Sequence, residues 1–232
     1  MMRLPDAKYF VLVGNYGSGK TELSLALARR LRREREGRVA LVDLDIVNPY
    51  FRSAEQSALL ESEGVEVLAP TFAMTTVDIP ALPAQIMTVF EADFSAVVID
   101  VGGDDTGAVA LGAYAPYIAP VRGQMLAMYV VNPFRPLSGT PEDICEMYGL
   151  IGARARLKPD WLVNNSNLQK LTTVNDLLEG AKIIQAASET LGVPIGMTAG
   201  RAALESQLPP DMQRQYFAFE PLMLPDWMEA GC

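Results

Sequence analysis

The 232-residue chain contains no histidine. No imidazole is available as a general base, proton shuttle or metal ligand, and zinc chemistry is disfavoured. Any hydrolysis must rely on carboxylates, a hard metal ion or the substrate's own phosphate. Cysteine is nearly absent as well: Cys145 and Cys232 do not make a disulfide framework. No apolar run reaches the ~20 residues of a membrane span. Residues 1–10 include Asp6 and lack the apolar core of a signal peptide. Together these absences read as a cytoplasmic protein with no membrane contact. Positive charge is scarce: 19 Lys and Arg against 28 Asp and Glu leave a net charge of −9, which argues against broad nucleic-acid binding. One basic cluster stands out, made of Arg29, Arg30, Arg32, Arg33, Arg35 and Arg38. It falls at the end of a helical pattern, where cations suit the helix dipole and water, and reads as a solvated face rather than a docking patch.

Half of the residues are hydrophobic, enough for one sizeable α/β domain over residues 1–232. Strand-like runs fall near 9–14, 38–44, 65–69, 95–101, 124–131, 160–164 and 193–198. Helical runs fall near 20–35, 52–63, 80–91, 106–118, 140–151, 173–191 and 200–207. This alternation predicts a doubly wound, mostly parallel sheet of about seven strands with helices on both faces. Right-handed crossovers bring the strand carboxyl ends to one edge, where ligands bind in such folds. Residues 209–232, rich in Pro, Met and aromatic residues, read as a tail packed over a sheet edge. The alternative, a partner or membrane contact, is disfavoured by the tail's acidic character.

The segment Gly14-Asn15-Tyr16-Gly17-Ser18-Gly19-Lys20-Thr21 fits G-x-x-x-x-G-K-[ST], the phosphate-binding P-loop. An apolar run, Tyr9-Phe10-Val11-Leu12-Val13, leads in as a buried strand, and a helical pattern leads out. Glycines let backbone N–H groups turn to phosphate oxygens, and the helix N-terminus adds unpaired donors and a positive dipole end. In this motif Lys20 reaches the β- and γ-phosphates and the Thr21 hydroxyl binds Mg²⁺.

Val42-Asp43-Leu44-Asp45 closes the second strand. Period two puts Asp43 and Asp45 on one side, and two carboxylates there call for a cation. With a P-loop alongside, that cation is Mg²⁺. The fourth strand ends Val98-Ile99-Asp100-Val101-Gly102-Gly103, a run of apolar residues and then an acid, the Walker B pattern. Asp100 is expected to hold a magnesium-bound water. Asp100-Val101-Gly102-Gly103 also reads D-x-x-G, the spacing of a switch whose glycine amide, here Gly103, senses the γ-phosphate. Asp104 and Asp105 read as the cap and first turn of the next helix, or as groups behind the metal.

These motifs, in this order, resemble the MinD/ParA-like branch of P-loop NTPases, in the class called SIMIBI. The resemblance spans roughly residues 8–200. It implies a nucleotide switch or partner-driving ATPase that uses MgATP, yields ADP and phosphate, and often forms a nucleotide-dependent homodimer. It also implies that Asp43 lies near the metal, that Asp45 orients the attacking water, and that Asp100 is the Walker B residue. The family's P-loop usually has a lysine in its second position, reaching across the dimer to the partner's phosphates. Here that position is Asn15, with Tyr16 where glycine is usual, so the activating charge is missing. Arg52 supplies it in cis or in trans, or else is a solvated side chain.

After the sixth strand, Asn164-Asn165-Ser166-Asn167 occupies the N-K-x-D spacing of guanine readers without its Lys and Asp. A carboxylate accepts two guanine protons and an amide at Asn167 does so poorly, which favours adenine. Asn164 is the expected base contact, its alternative being a polar strand-end turn. Asn132-Pro133-Phe134-Arg135-Pro136 follows the fifth strand; Arg135 meets a partner or substrate, or the segment is chiefly a rigid turn. Two further readings of function stay open on the same scaffold: a small-molecule kinase or ATP-dependent ligase, and a nucleotide-locked interaction module. The biological protein partner is not identified by the sequence.

Overall fold

The computed structural model describes residues 2–45, 54–69 and 84–222. Among them, eight strands form one sheet: β1 (Tyr9–Val13), β2 (Val39–Leu44), β3 (Val65–Leu68), β4 (Ala96–Val101), β5 (Met125–Val131), β6 (Trp161–Asn164), β7 (Ile195–Arg201) and β8 (Tyr216–Phe219). Their order is β3-β2-β4-β1-β5-β6-β7-β8, and every neighbouring pair is parallel. The described helices are α1 (Lys20–Glu34), α2 (Ala54–Ser62), α3 (Ala84–Glu91), α4 (Asp105–Ala113), α5 (Ala115–Val121), α6 (Pro141–Ala155), α7 (Val174–Leu191) and the short α8 (Pro210–Arg214).

Period two divides each central strand between two cores. Tyr9, Val11 and Val13 of β1 join Val97, Ile99 and Val101 of β4 and Tyr129 and Val131 of β5 under α3 to α7. Phe10 and Leu12, with Val98, Met128 and Val130, pack under Leu23, Leu27 and Leu31 of α1. Burial on both faces is why these strands read as continuous apolar runs. It leaves their carboxyl ends as the places where polar groups come together.

Four differences from the sequence reading have physical causes. The sheet has eight strands rather than about seven. The eighth, Tyr216-Phe217-Ala218-Phe219, lies in the stretch expected to be a packed tail and pairs with β7 along Thr198–Arg201. Aromatic residues suit a pleated, buried surface, and Phe217 and Phe219 enter the core beside α1. Strand β7 accordingly runs to Arg201, and the helix expected over 200–207 is only a 3₁₀ turn over Ala202–Gln207. The single helix expected over 106–118 is two, broken at Tyr114. Pro116 has no N–H to donate to the preceding turn and so stands at the start of a new helix instead. Residues 70–83 and 223–232 lie outside the described residues, so part of the helix expected over 80–91 and the end of the tail, with Trp227 and Cys232, do too.

No helix among the described residues is long and apolar enough to cross a membrane.

Candidate functional site

Strand β1 sits at the point where connections diverge, with β4 on one side and β5 on the other. Its carboxyl end opens into residues 14–19, which turn into α1. At this edge a cavity of about 470 Å³ is lined by Tyr16, Gly17, Gly19, Lys20, Thr21, Glu22, Asp45, Gly103, Asn132, Arg135, Asn167, Gln169 and Pro221. Such a crevice outside the strand carboxyl ends is where this architecture places ligands.

The loop is held by its own chain and by two neighbouring loops. Gly14 opens it against the carbonyl of Val130 in β5. The Asn15 Oδ1 accepts the Tyr16 N–H at 2.9 Å, and its Nδ2 donates to the Pro136 carbonyl at 2.8 Å. Asn15 thus ties the loop to the β5–α6 connection. Ser18 donates its N–H to the Asn15 carbonyl at 3.2 Å, while its buried hydroxyl has no partner among the described residues. Asn165 donates its Nδ2 to the Ser18 carbonyl at 2.6 Å. Gly19 caps α1 at φ 86°, in the left-handed region, with the Asn165 amide packed where a Cβ would stand.

Lys20 is 6% exposed, and its one hydrogen bond among the described residues goes from Nζ to the Asn15 carbonyl at 3.0 Å. Burial pulls its pKa down; the charges of Asp100, Asp45 and Asp104 pull it back up. Asp43 and Asp100 stand opposite each other in the β2–β4 ladder, both buried. Asp43 Oδ1 accepts the Asp45 N–H at 2.8 Å, which turns Asp45 out into the cavity. Burial raises the Asp100 carboxyl to about 6, against the opposing pull of the Lys20 charge and the Thr21 and Ser24 hydroxyls. Its Oδ1 has no hydrogen-bond partner among the described residues. A buried carboxylate oxygen without a partner is costly and suits a bound cation or its water.

The β4–α4 loop closes the other side. A Cβ on Gly103 would come within 2.8 Å of both Lys20 Nζ and the Tyr16 Cα, so only glycine lets this backbone approach the P-loop so closely. Asp104 is the α4 N-cap, its carboxylate accepting the Gly107 N–H at 2.9 Å. That is the capping reading of the sequence.

The structure fits a magnesium ion at the P-loop end. Thr21, Asp43 and Asp100 offer hard oxygen atoms, the ligand type this ion takes. Among the described residues no group of three acidic or thiol side chains is arranged to hold a metal by itself. Further ligands would be phosphate oxygens and water, as is usual for magnesium.

Asn164 does not line the cavity and corrects the expected base contact. It is fully buried, with Nδ2 donating to the Leu177 carbonyl at 3.1 Å and Oδ1 accepting the Ser166 N–H at 3.2 Å and hydroxyl at 2.6 Å. Its amide closes the end of β6 against α7, and the side chain is buried away from the cavity. Asn167, three residues on, does line the cavity. Its Oδ1 accepts the Gln169 N–H at 2.5 Å and the Thr172 hydroxyl at 3.1 Å. A backbone N–H can only donate, so the amide orientation is fixed and Nδ2 is the group left for a ligand. Asn132, buried after β5, donates Nδ2 to the Asn167 carbonyl at 2.9 Å and holds this loop in place. Glu22, Gln169 and Pro221 complete the wall and carried no signal in the sequence; Glu22 Oε2 accepts the Leu222 N–H at 3.2 Å. Arg52 and residues 46–50 lie outside the described residues.

Solved structures share this fold. Chloroplast FtsY from Physcomitrella patens is 14% identical with a TM-score of 0.54, matching 85% of this chain and 60% of its own. FtsY from Mycoplasma mycoides is 16% identical with a TM-score of 0.52, matching 94% of this chain and 65% of its own. FlhF complexed with GTP and Mg²⁺ is 16% identical with a TM-score of 0.53, matching 85% of this chain and 67% of its own. The chain therefore spans about 60–65% of the length of the FtsY structures. At 14–16% identity the likeness is one of fold, a doubly wound α/β sheet with helices, and it does not single out the MinD/ParA branch that the motifs resemble. No protein-family model and no curated protein matches the sequence.

Proposed function

We propose that the chain is a Mg²⁺-dependent ATP-binding protein that hydrolyses ATP to ADP and phosphate, acting as a nucleotide-controlled switch. The observation that carries this reading is Lys20: a buried ammonium with one carbonyl partner, enclosed by the 14–19 and 102–103 loops at the β1 edge. An ammonium carries three donors, so beside the charges of Asp100, Asp45 and Asp104 it can still donate to phosphate oxygens, and the α1 N-terminus faces the same cavity. FlhF, solved with GTP and Mg²⁺ in the same architecture, supports a triphosphate with magnesium as the ligand. The base is argued from Asn167. Its Nδ2 donates to adenine N1, an acceptor, whereas the guanine N1–H and 2-amino group are donors and meet another donor.

Thr21, Asp43 and Asp100 would hold the metal. When bound, the ion neutralises charge on the phosphate oxygens. Lys20 and the loop amides stabilise the charge that spreads over the transferring phosphoryl group. Asp45, turned into the cavity by its own N–H bond to Asp43, orients the attacking water. Gly103, packed on Tyr16 and Lys20, carries the state of the γ-phosphate to α4. The exposed side chains of Tyr16, Leu137, Leu168 and Leu171 occupy the connections after β1, β5 and β6. They support the reading that a second copy of the chain docks over bound triphosphate.

Phosphate release with Mg²⁺ and ATP tests the reading. Lys20→Ala is expected to abolish binding, and Asp45→Ala to keep binding while losing turnover. Undiminished turnover in Asp45→Ala removes that role. Release of phosphate onto a metabolite instead of water moves the protein to the kinase reading.

A further inference from the structure

Two cations line the cavity, and the phosphate-binding reading uses only Lys20. The other is Arg135, on the connection between β5 and α6. Three features fix its place. Its N–H donates to the Asn132 carbonyl at 3.0 Å, and the Asn132 Oδ1 accepts the Phe134 N–H at 3.1 Å, which shapes the turn from within. Asn15 Nδ2 then ties the P-loop to the carbonyl of Pro136, next in sequence. Finally, the Arg135 stem lies on the P-loop glycine: a Cβ on Gly17 would meet its Cδ and Nε, each at 3.5 Å.

The guanidinium itself has no ion pair or hydrogen bond among the described residues. In a chain of net charge −9, acidic partners are plentiful, so an arginine held over an anion-binding loop without one is poised for a ligand. We infer that Arg135 is a polyphosphate-binding residue supplied in cis, gripping bound ATP on the Gly17 side of the loop while Lys20 grips it near Gly103. This rests on the nucleotide-binding reading above and goes beyond it. Asn15 leaves the P-loop short of a charge at its second position but tethers the loop that returns one. Arginine suits the role, since its planar fork matches two phosphate oxygens at once.

The test is calorimetric titration of AMP, ADP and ATP with Mg²⁺ into wild type, Arg135→Ala and Arg135→Lys at two salt concentrations. Arg135 is exposed, so both variants should melt at the wild-type temperature. The expected result is about a tenfold rise in Kd for ATP in Arg135→Ala. AMP should change less than twofold, Arg135→Lys should lie between, and the salt dependence of ATP binding should weaken. Mixing Arg135→Ala with Lys20→Ala should restore no sites of wild-type affinity, because both charges must come from one chain. ATP affinity within twofold of wild type in Arg135→Ala overturns the inference. So does an equal loss for AMP, which would put the guanidinium on base or ribose. Rescue in the mixture would put it in trans and overturn the cis assignment. A wild type that binds no nucleotide fails the functional reading itself, an outcome distinct from all of these.

Discussion

Replacing Asn167 with Asp should turn the protein from ATP toward GTP. The turn that holds this side chain survives the change. Oδ1 is kept, so the acceptor for the Gln169 N–H and the Thr172 hydroxyl remains. What changes is the other atom on the cavity wall, a donor Nδ2 becoming a carboxylate oxygen. Adenine then loses one neutral hydrogen bond, about 1 kcal/mol, and its N1 lone pair faces negative charge. Guanine gains an ionised acceptor for its N1–H and 2-amino group, about 1.5–3 kcal/mol. The combined swing is about 2.5–4 kcal/mol, or roughly sixty- to several-hundredfold in relative affinity. Competition of ATP and GTP against a fluorescent nucleotide, with excess Mg²⁺, measures the ratio in both proteins. A shift below tenfold, or a wild type that already prefers GTP, would refute the assignment of Asn167 as the base reader.

Other consequences are as direct. Gly103→Ala drives a methyl group toward Lys20 Nζ and the Tyr16 backbone; nucleotide affinity should fall by at least tenfold and stability by about 1–3 kcal/mol, read by calorimetry and chemical denaturation. Glu63, on the turn after α2, is paired with Arg29, and that hydrogen bond holds its carboxyl below the ordinary range. Its contribution is therefore present above the unfolded carboxylate pKa and lost as pH falls through the lower folded value. The pair is partly exposed, so Glu63→Gln should cost no more than about 1 kcal/mol at pH 7 and nothing in acid, measured by denaturant unfolding at both pH values.

Much of this site was legible because its residues are neighbours in sequence or in strand period. The P-loop is one continuous segment, and apolar runs closing in an acid marked Asp43 and Asp100 at strand ends that the sheet then set side by side. The distinction between Asn164 and Asn167 was not legible. Both are amides in one four-residue stretch, and only the Leu177 carbonyl of α7 and the Ser166 side chain decide which is consumed. Asn15 showed a missing charge in the sequence; its bond to Pro136 depends on a contact 121 residues away. The eighth strand hid because four aromatic-rich residues beside prolines carry no period long enough to separate a strand from a packed tail. The break at Tyr114 was visible in principle, since Pro116 marks it.

The central claim is that buried Lys20, the glycine loop and the acidic strand tips form a cradle for a nucleoside triphosphate with magnesium. Titrating ATP with Mg²⁺ into the folded protein tests it most directly. The account predicts saturable heat at one nucleotide per chain, absent in Lys20→Ala. No heat from either ATP or GTP, in protein whose circular dichroism shows it folded, would contradict it.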